Sequence, residues 1–372
     1  MFPKTKLKLI LRIFALDSSS QKPNTKRVLT SFSMLTIIGV FVNIIYGFSL
    51  DVFGDGFIVS SLATSIVYIS VVIGHITAVL ESLVKREEHS EFYEKLHELD
   101  DIFRFKLAHM IPVTGHRRKI TRKYCAIAFV VYLSLCLYIG SILSHKYEGF
   151  FWYGIISVVV SRMRFIQASI YVDLVNLRFH HLNLLLEQID SCRLQRKYLM
   201  LDVDYCVIDN PKRILVIKSI YRKLHDLVSC LNDVFGWSVL TLTVYYCLDF
   251  TCNCYWLILA SDQYLASYHN YECFFTIIPI GLLMTSYCYV CSECIRMSDT
   301  TKRLVQKMVV TTQNDHTNDL LDAFLLQINN QPICIHAKMF FLVNLKLLTS
   351  ICTSVLGYLV ILIQFRFTEN EL

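Results

Sequence analysis

Residues Lys346–Phe365 read KLLTSICTSVLGYLVILIQF, twenty residues whose only charge is at the first position. At about 1.5 Å of rise per residue, that is the length of helix that crosses the hydrocarbon of a bilayer. Backbone amides in lipid find no water and must satisfy one another, so the stretch is helical. Its small and polar positions are ordered. Ser350, Thr353, Ser354, Gly357, Ile361 and Gln364 recur at helical spacing and fall in one stripe about 100° wide. Gln364 and Phe365 close its far end. Two readings of that stripe stand side by side: a face for close helix packing through small residues, or one wall of a water-filled pore narrowed by an apolar residue.

Six more segments pass the same length test: Ser31–Leu50, Ile58–Val84, Tyr124–Leu143, Phe151–Leu177, Gly236–Ala260 and Glu272–Cys291. The whole chain agrees with them. Of its 372 residues 54% are hydrophobic and 18% charged, with a mean hydropathy of +0.47. A soluble domain carries about a quarter of its residues as charges. A soluble enzyme, a disulfide-stapled secreted domain and a disordered chain are excluded. The fold class is an all-α membrane protein of seven transmembrane helices.

Charge placement sets the orientation. The segments before span 1, and between spans 2 and 3, 4 and 5, and 6 and 7, hold 7, 10, 9 and 5 Lys/Arg, which is 31 of the 36. The connections Asp51–Phe57, Ser144–Phe150 and Ser261–Tyr271 hold one, Lys146. Basic loops stay inside, so the N-terminus is expected in the cytosol and the C-terminus outside. The basic start, Lys4 to Arg12, lacks an uninterrupted apolar core and a small-residue cleavage site, and reads as an amphipathic helix on the inner leaflet. Residues 1–30 then form a cytosolic segment and 31–372 the seven-helix domain. The inner connections are long, at 39, 58 and 54 residues. Leu177–Leu194 and Ser219–Val234 show helical spacing. Either they are surface helices, or spans 4, 5 and 6 continue inward over 178–235 and 292–345 as a cytosolic anchor bundle.

Few side chains suggest chemistry. Cys288, Cys291 and Cys294 drift along one helix side beside Cys252 and Cys254, with no histidine to complete a four-ligand zinc set, so they read as reduced structural thiols. No catalytic triad order, HExxH or paired intramembrane carboxylates appear, which argues against an enzyme, a metal site or a cofactor. Charges within spans are costly and face a partner or a cavity. Arg162 and Arg164 in span 4 and Asp249 in span 5 lie at similar depth, giving either an ion pair or the polar lining of a ligand cavity. His75 is either an interhelical hydrogen-bonding residue or a pocket residue. Tyr68, Tyr138, Trp152, Tyr153 and Trp256 suit an interfacial belt or pocket walls, and the belt is the default for Trp152 and Tyr153.

The tail Gly357-Tyr358-Leu359-Val360-Ile361-Leu362-Ile363-Gln364-Phe365 resembles the seventh-span signature of insect gustatory receptors, a Thr-Tyr pair, five mostly apolar residues, then Gln-Phe. Met339–Leu348 is similar to the stretch that precedes it in that family. Tyr171-Val172-Asp173-Leu174, Arg178-Phe179 and Leu182-Asn183 are similar to the end of its fourth span. Gly357 departs from the usual threonine. Leu359 stands where the sugar-receptor branch has glutamate, which implies a bitter compound rather than a sugar as the small-molecule tastant. The resemblance implies a ligand-gated, non-selective cation channel of the plasma membrane, a homo- or hetero-tetramer whose seventh helix, 346–366, lines the pore. Gly357, Tyr358, Ile361, Gln364 and Phe365 would then face the pore or its gate. Ligand would bind among the outer halves of spans 2 to 6; the family has no shared motif there, so no pocket residue carries over, and Tyr68, His75, Tyr138, Trp152, Tyr153, Arg162, Asp249 and Trp256 are candidates on their own chemistry; no nucleic acid is implied. The competing class is a heptahelical receptor coupled to a G protein. Its outside N-terminus conflicts with the charge count, and the only Asn-Pro, Asn210-Pro211, lies in a connection rather than in span 7. A small transporter would show an inverted repeat, and none is visible.

Overall fold

The computed structural model describes residues 12, 14, 16, 23–49, 58–107, 113–145, 151–199, 211–261, 268–311 and 315–371. In chain order these form helices α1 (Pro23–Ser49), α2 (Ile58–Val84), α3 (Arg86–Lys106), α4 (Val113–His145), α5 (Phe151–Leu199), α6 (Pro211–Ser261), α7 (Tyr268–Thr311) and α8 (Asp315–Asn330). A hairpin of β1 (His336–Ala337) and β2 (Phe341–Leu342) follows, then α9 (Leu345–Glu371). Six of the helices, α2, α4, α5, α6, α7 and α9, are long and apolar enough to cross a membrane, and α1 adds a shorter apolar stretch, Arg27–Val42. The chain is a multi-pass membrane protein, nearly all-helical over the described residues. The connections 51–57, 146–150 and 262–267, and the N-terminal amphipathic helix except for Arg12, lie outside the described residues.

Three helices are far longer than a bilayer requires. With 49, 51 and 44 residues, α5, α6 and α7 reach about 65–75 Å at 1.5 Å per residue, against roughly 30 Å of hydrocarbon. Leu177–Leu194 and Ser219–Val234 are therefore not separate surface helices. They run on from spans 4 and 5. Beyond the apolar zone the three pack with α3 and α8 around a shared core that includes Phe92, Phe179, Tyr221, Phe235 and Phe324.

The register of α5 against α7 is set by polar residues one heptad apart. Asn176 Nδ2 donates to the Val290 carbonyl at 3.0 Å, and Asn183 Nδ2 to the Met297 carbonyl at 3.0 Å. Asn183 also accepts from Thr301 Oγ1 at 2.6 Å, and Lys307 reaches Asp190 at 2.6 Å. A slip along the helix would break all of these bonds, the logic by which buried Asn fixes coiled-coil register. The fourth-span motif residues are structural here too. Tyr171 stacks on Phe92 at 4.6 Å between centroids, Asp173 accepts from Lys123 and Tyr124, and Arg178 forks onto Asp100 at 3.0 and 2.8 Å.

The hairpin links this bundle to α9. Its turn places Lys338 and Met339 at φ of 46° and 66°, closed by Phe340 N donating to the Ala337 carbonyl at 3.0 Å. Positive φ at both central residues is the condition of a type I′ turn. Asn232 of α6 clamps β1 by donating to the Cys334 carbonyl at 2.9 Å and accepting from His336 N at 3.2 Å. Lys338 lies over Gly236, where a Cβ would come within 3.0 Å of its Cγ. Asn344 then caps α9, accepting from Leu347 N at 3.0 Å.

Candidate functional site

Helix α9 touches the rest of the chain along one edge. Val355 and Leu359 are buried, and with half-buried Ile351, Leu362 and Ile363 they pack on Tyr255, Phe250 and Trp256 of α6. The stripe read from the sequence is uncovered: Ser350, Thr353, Ser354, Gly357, Ile361 and Gln364 are all exposed. Tyr358 and Phe365 are each 62% exposed. A Cβ at Gly357 would meet no atom within 4 Å, so packing within one chain does not require the glycine. The hydroxyls of Ser350, Thr353 and Ser354 donate to carbonyls four residues back at 3.0–3.1 Å. Among the described residues, no other helix of the same chain packs on this face.

At mid-membrane a polar cluster joins α4, α5, α6 and α7. Arg162 lies 11 residues from the start of α5 and Asp249 12 from the end of α6, about 17–18 Å in from those ends. Both are buried. Arg162 Nη1 donates to the Val131 carbonyl at 3.3 Å, and its Nε has no partner. Asp249 accepts from Asn253 Nδ2 at 2.8 Å. Asn253 in turn accepts from Thr276 Oγ1 of α7 at 2.6 Å. Tyr132 and Tyr246 are within electrostatic reach of Arg162, and their buried hydroxyls have no partner.

This corrects the pairing read from depth alone. No ion pair within 4.0 Å joins Arg162 to Asp249 among the described residues. The buried ion pair is Arg164–Glu81, at 3.2 Å, with side chains 1% and 4% exposed. Arg162 and Arg164 are two residues apart, so about 200° of helix separates their directions, and each meets a different neighbour. Glu81 accepts from the amides of Trp237 and Ser238 at 3.0 Å each and from the Ser238 hydroxyl. Arg164 donates to Ser238 Oγ, Gln167 Oε1 and the Val234 carbonyl at 3.0–3.1 Å and lies 4.3 Å over the Phe235 ring. The pair is spliced into the backbone of α6 beside Gly236. Gln167 also donates to the carbonyl of Leu16, which is itself fully buried.

The remaining pocket candidates are dispersed. His75 Nδ1 meets Ser157 Oγ at 3.0 Å between α2 and α5, one level away from Tyr68, which lies beside Gly154 at 3.7 Å from its Cβ position. Tyr138 packs near Leu135 on α4. Trp256 stands edge-on to Tyr255 at 5.7 Å, at the seam where α9 attaches. The side chains of Trp152 and Tyr153 lie outside the described residues. Cys288, Cys291 and Cys294 are buried free thiols, and among the described residues no group of three or more His, Cys, Asp or Glu is placed to hold a metal.

A sequence model of the 7tm chemosensory receptor family matches residues 11–369. The chain belongs to this family. Its similarities lie with insect gustatory receptors. It is 27% identical over 226 residues to putative gustatory receptor 39b of Drosophila melanogaster, covering 58% of this chain and 59% of that one. Gustatory receptor 23a of the same species is 33% identical over 162 residues, 43% of each chain. Putative gustatory receptor 2a is 24% identical over 355 residues, 84% of this chain and 81% of that one. The chain thus spans about three-fifths or less of the length of the first two relatives. Among solved structures, the olfactory receptor OR5 of the insect Machilis hrabei superposes with a TM-score of 0.62 over 97% of both chains at 15% identity. Its complex with eugenol gives 0.61 at 14%. At such identity the likeness establishes a shared fold.

Sequence reasoning missed Glu81, Gln167 and Ser238 at the ion pair, and Tyr132 and Tyr246 at the mid-membrane cluster. Glu81 carried a readable signal as a carboxylate inside the apolar run Ile58–Val84. The tyrosines carried none beyond helical spacing.

Proposed function

We propose that this gustatory receptor family member is a tastant-gated, non-selective cation channel of the plasma membrane. Its N-terminus is cytosolic and four copies assemble around α9. The observation that carries this reading is the uncovered stripe of α9. A helix held by one edge, with a small and polar face turned away from its own chain, suits four copies of that face around a wet axis. At the outer end, Ile361 and Phe365 form rings that exclude water when closed, and Gln364 lines the path beside them. The long helices α5, α6 and α7, with α3 and α8, form the cytosolic anchor bundle, consistent with the basic residues on that side. The tastant, a bitter compound rather than a sugar, binds among spans 2 to 6. It opens the gate because it binds the open state more tightly than the closed one.

The test is current in oocytes together with thiol access. Phe365→Ala is expected to pass cations without any tastant at normal surface expression. Gln364→Cys is expected to react with a water-soluble thiol reagent and to block or alter the current. A cysteine at 364 or 361 that never reacts, with or without agonist, overturns the pore assignment.

A further inference from the structure

The mid-membrane cluster between α4, α5, α6 and α7 has a one-sided hydrogen-bond inventory. Several of its acceptors are occupied: Asp249 Oδ1 by Asn253, the Asn253 side-chain oxygen by Thr276, and the Val131 carbonyl by Arg162. Its donors are not. Arg162 Nε and the hydroxyls of Tyr132 and Tyr246 are buried with no partner among the described residues, and Arg162 and Tyr246 are 2% and 1% exposed. Buried donors are almost always satisfied by protein, water or ligand. A guanidinium N–H left idle costs more than a neutral one. These three groups come from three different helices and face one another: Arg162 reaches the carbonyl of Val131, next to Tyr132, at 3.3 Å, and Phe165, one turn along from Arg162, meets the ring of Tyr246. The surrounding side chains include Phe165, whose ring meets Tyr246 edge-on at 5.1 Å, so the site is aromatic as well as donor-rich.

We infer that this cluster, Arg162 with Tyr132 and Tyr246, is the ligand-recognition point, and that it selects apolar compounds bearing a hydrogen-bond acceptor, such as a ketone, ester or carboxylate. It discriminates against ammonium compounds. A carbonyl oxygen takes the idle Arg162 N–H and one or both tyrosine hydroxyls without breaking a hydrogen bond. An ammonium would sit against the guanidinium and compete with it and with Asn253 for Asp249. The inference rests on the reading of this chain as a small-molecule receptor and names the ligand class for it.

The experiment uses the full-length purified protein in lipid nanodiscs. Thermal stabilisation is measured against acetophenone, methyl benzoate, camphor and benzoate, with benzylamine and ethylbenzene as matched compounds that lack the acceptor. Stabilisation by the acceptor compounds and not by the other two is expected, since a ligand that binds the folded state raises its melting point. Tyr246→Phe and Tyr132→Phe give the decisive sign. Each removes a hydroxyl with no partner, so the unliganded protein should be as stable as wild type or more so. The half-saturating concentration of the acceptor compounds should rise about five- to tenfold. Arg162→Gln should weaken them further, and Arg162→Lys should restore part of the affinity for benzoate. Benzylamine stabilising as well as acetophenone overturns the inference. So does a failure of every acceptor compound to stabilise, or wild-type affinity in both phenylalanine variants. Binding of acceptor compounds with no current in oocytes leaves the inference standing and removes the channel reading. Current evoked by ammonium compounds alone does the reverse.

Discussion

Glu81→Gln is the perturbation whose cost is most fully set by the structure. The carboxylate takes four donors: the amides of Trp237 and Ser238, the Ser238 hydroxyl and Arg164 Nη2. Glutamine keeps the shape and one acceptor oxygen, but turns an N–H₂ toward one of those donors and leaves the guanidinium of Arg164 uncompensated. Arg164 is fully buried, so water cannot take over. Breaking a buried pair by removing one partner costs about 3–5 kcal/mol, whereas removing both often costs much less. On the soluble-protein scale of about 2.1 cal/mol/K per residue, a chain of 372 residues loses roughly 4–6 °C in melting temperature. The assay is thermal unfolding in nanodiscs of Glu81→Gln, Arg164→Gln and the double variant, read as a cycle. The double variant should be more stable than the worse single and fall short of their sum by at least about 2 kcal/mol. Additive losses, or a Glu81→Gln protein as stable as wild type, would refute the account of this pair.

Three further outcomes follow from the packing and the charge pattern. A protease-sensitive tag after Leu372 should be cut from outside intact cells, given 31 of 36 Lys/Arg on the opposite side; a protected tag reverses the orientation. Gly74→Val should cost about 1–3 kcal/mol by overpacking, because a Cβ at Gly74 already comes within 2.9 Å of Leu242 Cδ2, and lower surface expression in cells reports it. Asn183→Ala should cost about 0.5–1.5 kcal/mol by removing the two bonds it makes to α7, while the Thr301 hydroxyl keeps its bond to the Met297 carbonyl at 3.1 Å, read as a melting shift relative to wild type.

The spans were legible because lipid imposes a hard rule, twenty apolar residues per crossing, and the chain obeys it from Ile58–Val84 to Lys346–Phe365. Beyond the bilayer the rule lapses. Leu182, Leu185, Leu186 and Ile189 make the same pattern whether a helix lies on a surface or continues a span into a bundle, and only the packing of α5 on α7 through Asn176, Asn183 and Asp190 distinguishes them. The charges were legible in depth and not in direction. Counting residues from a span end places Arg162, Arg164 and Asp249 at one level. Which of two arginines meets which carboxylate depends on the rotation of three helices about their axes. Glu81, close to the end of α2, reads as an interfacial charge until α6 supplies two backbone amides to bury it.

The uncovered face of α9 is a matter of physical accounting more than of pattern. Its hydroxyls are no embarrassment in lipid, since Ser350, Thr353 and Ser354 each return a hydrogen bond to their own helix. Lipid offers no hydrophobic drive to cover the stripe either, because acyl chains are as apolar as leucine. Gln364 breaks the tie. A primary amide brings two donors and an acceptor, and holding it against acyl chains without partners costs about 2–7 kcal/mol. That group stands one residue from Phe365, on a face that none of the described residues covers. Water or the same amide on a neighbouring copy removes the penalty, and a symmetric ring of α9 helices supplies both at once. Packing against lipid supplies neither. The geometry of α9 thus supports the proposed axis shared between copies, on which rings of Ile361 and Phe365 would close the wet path.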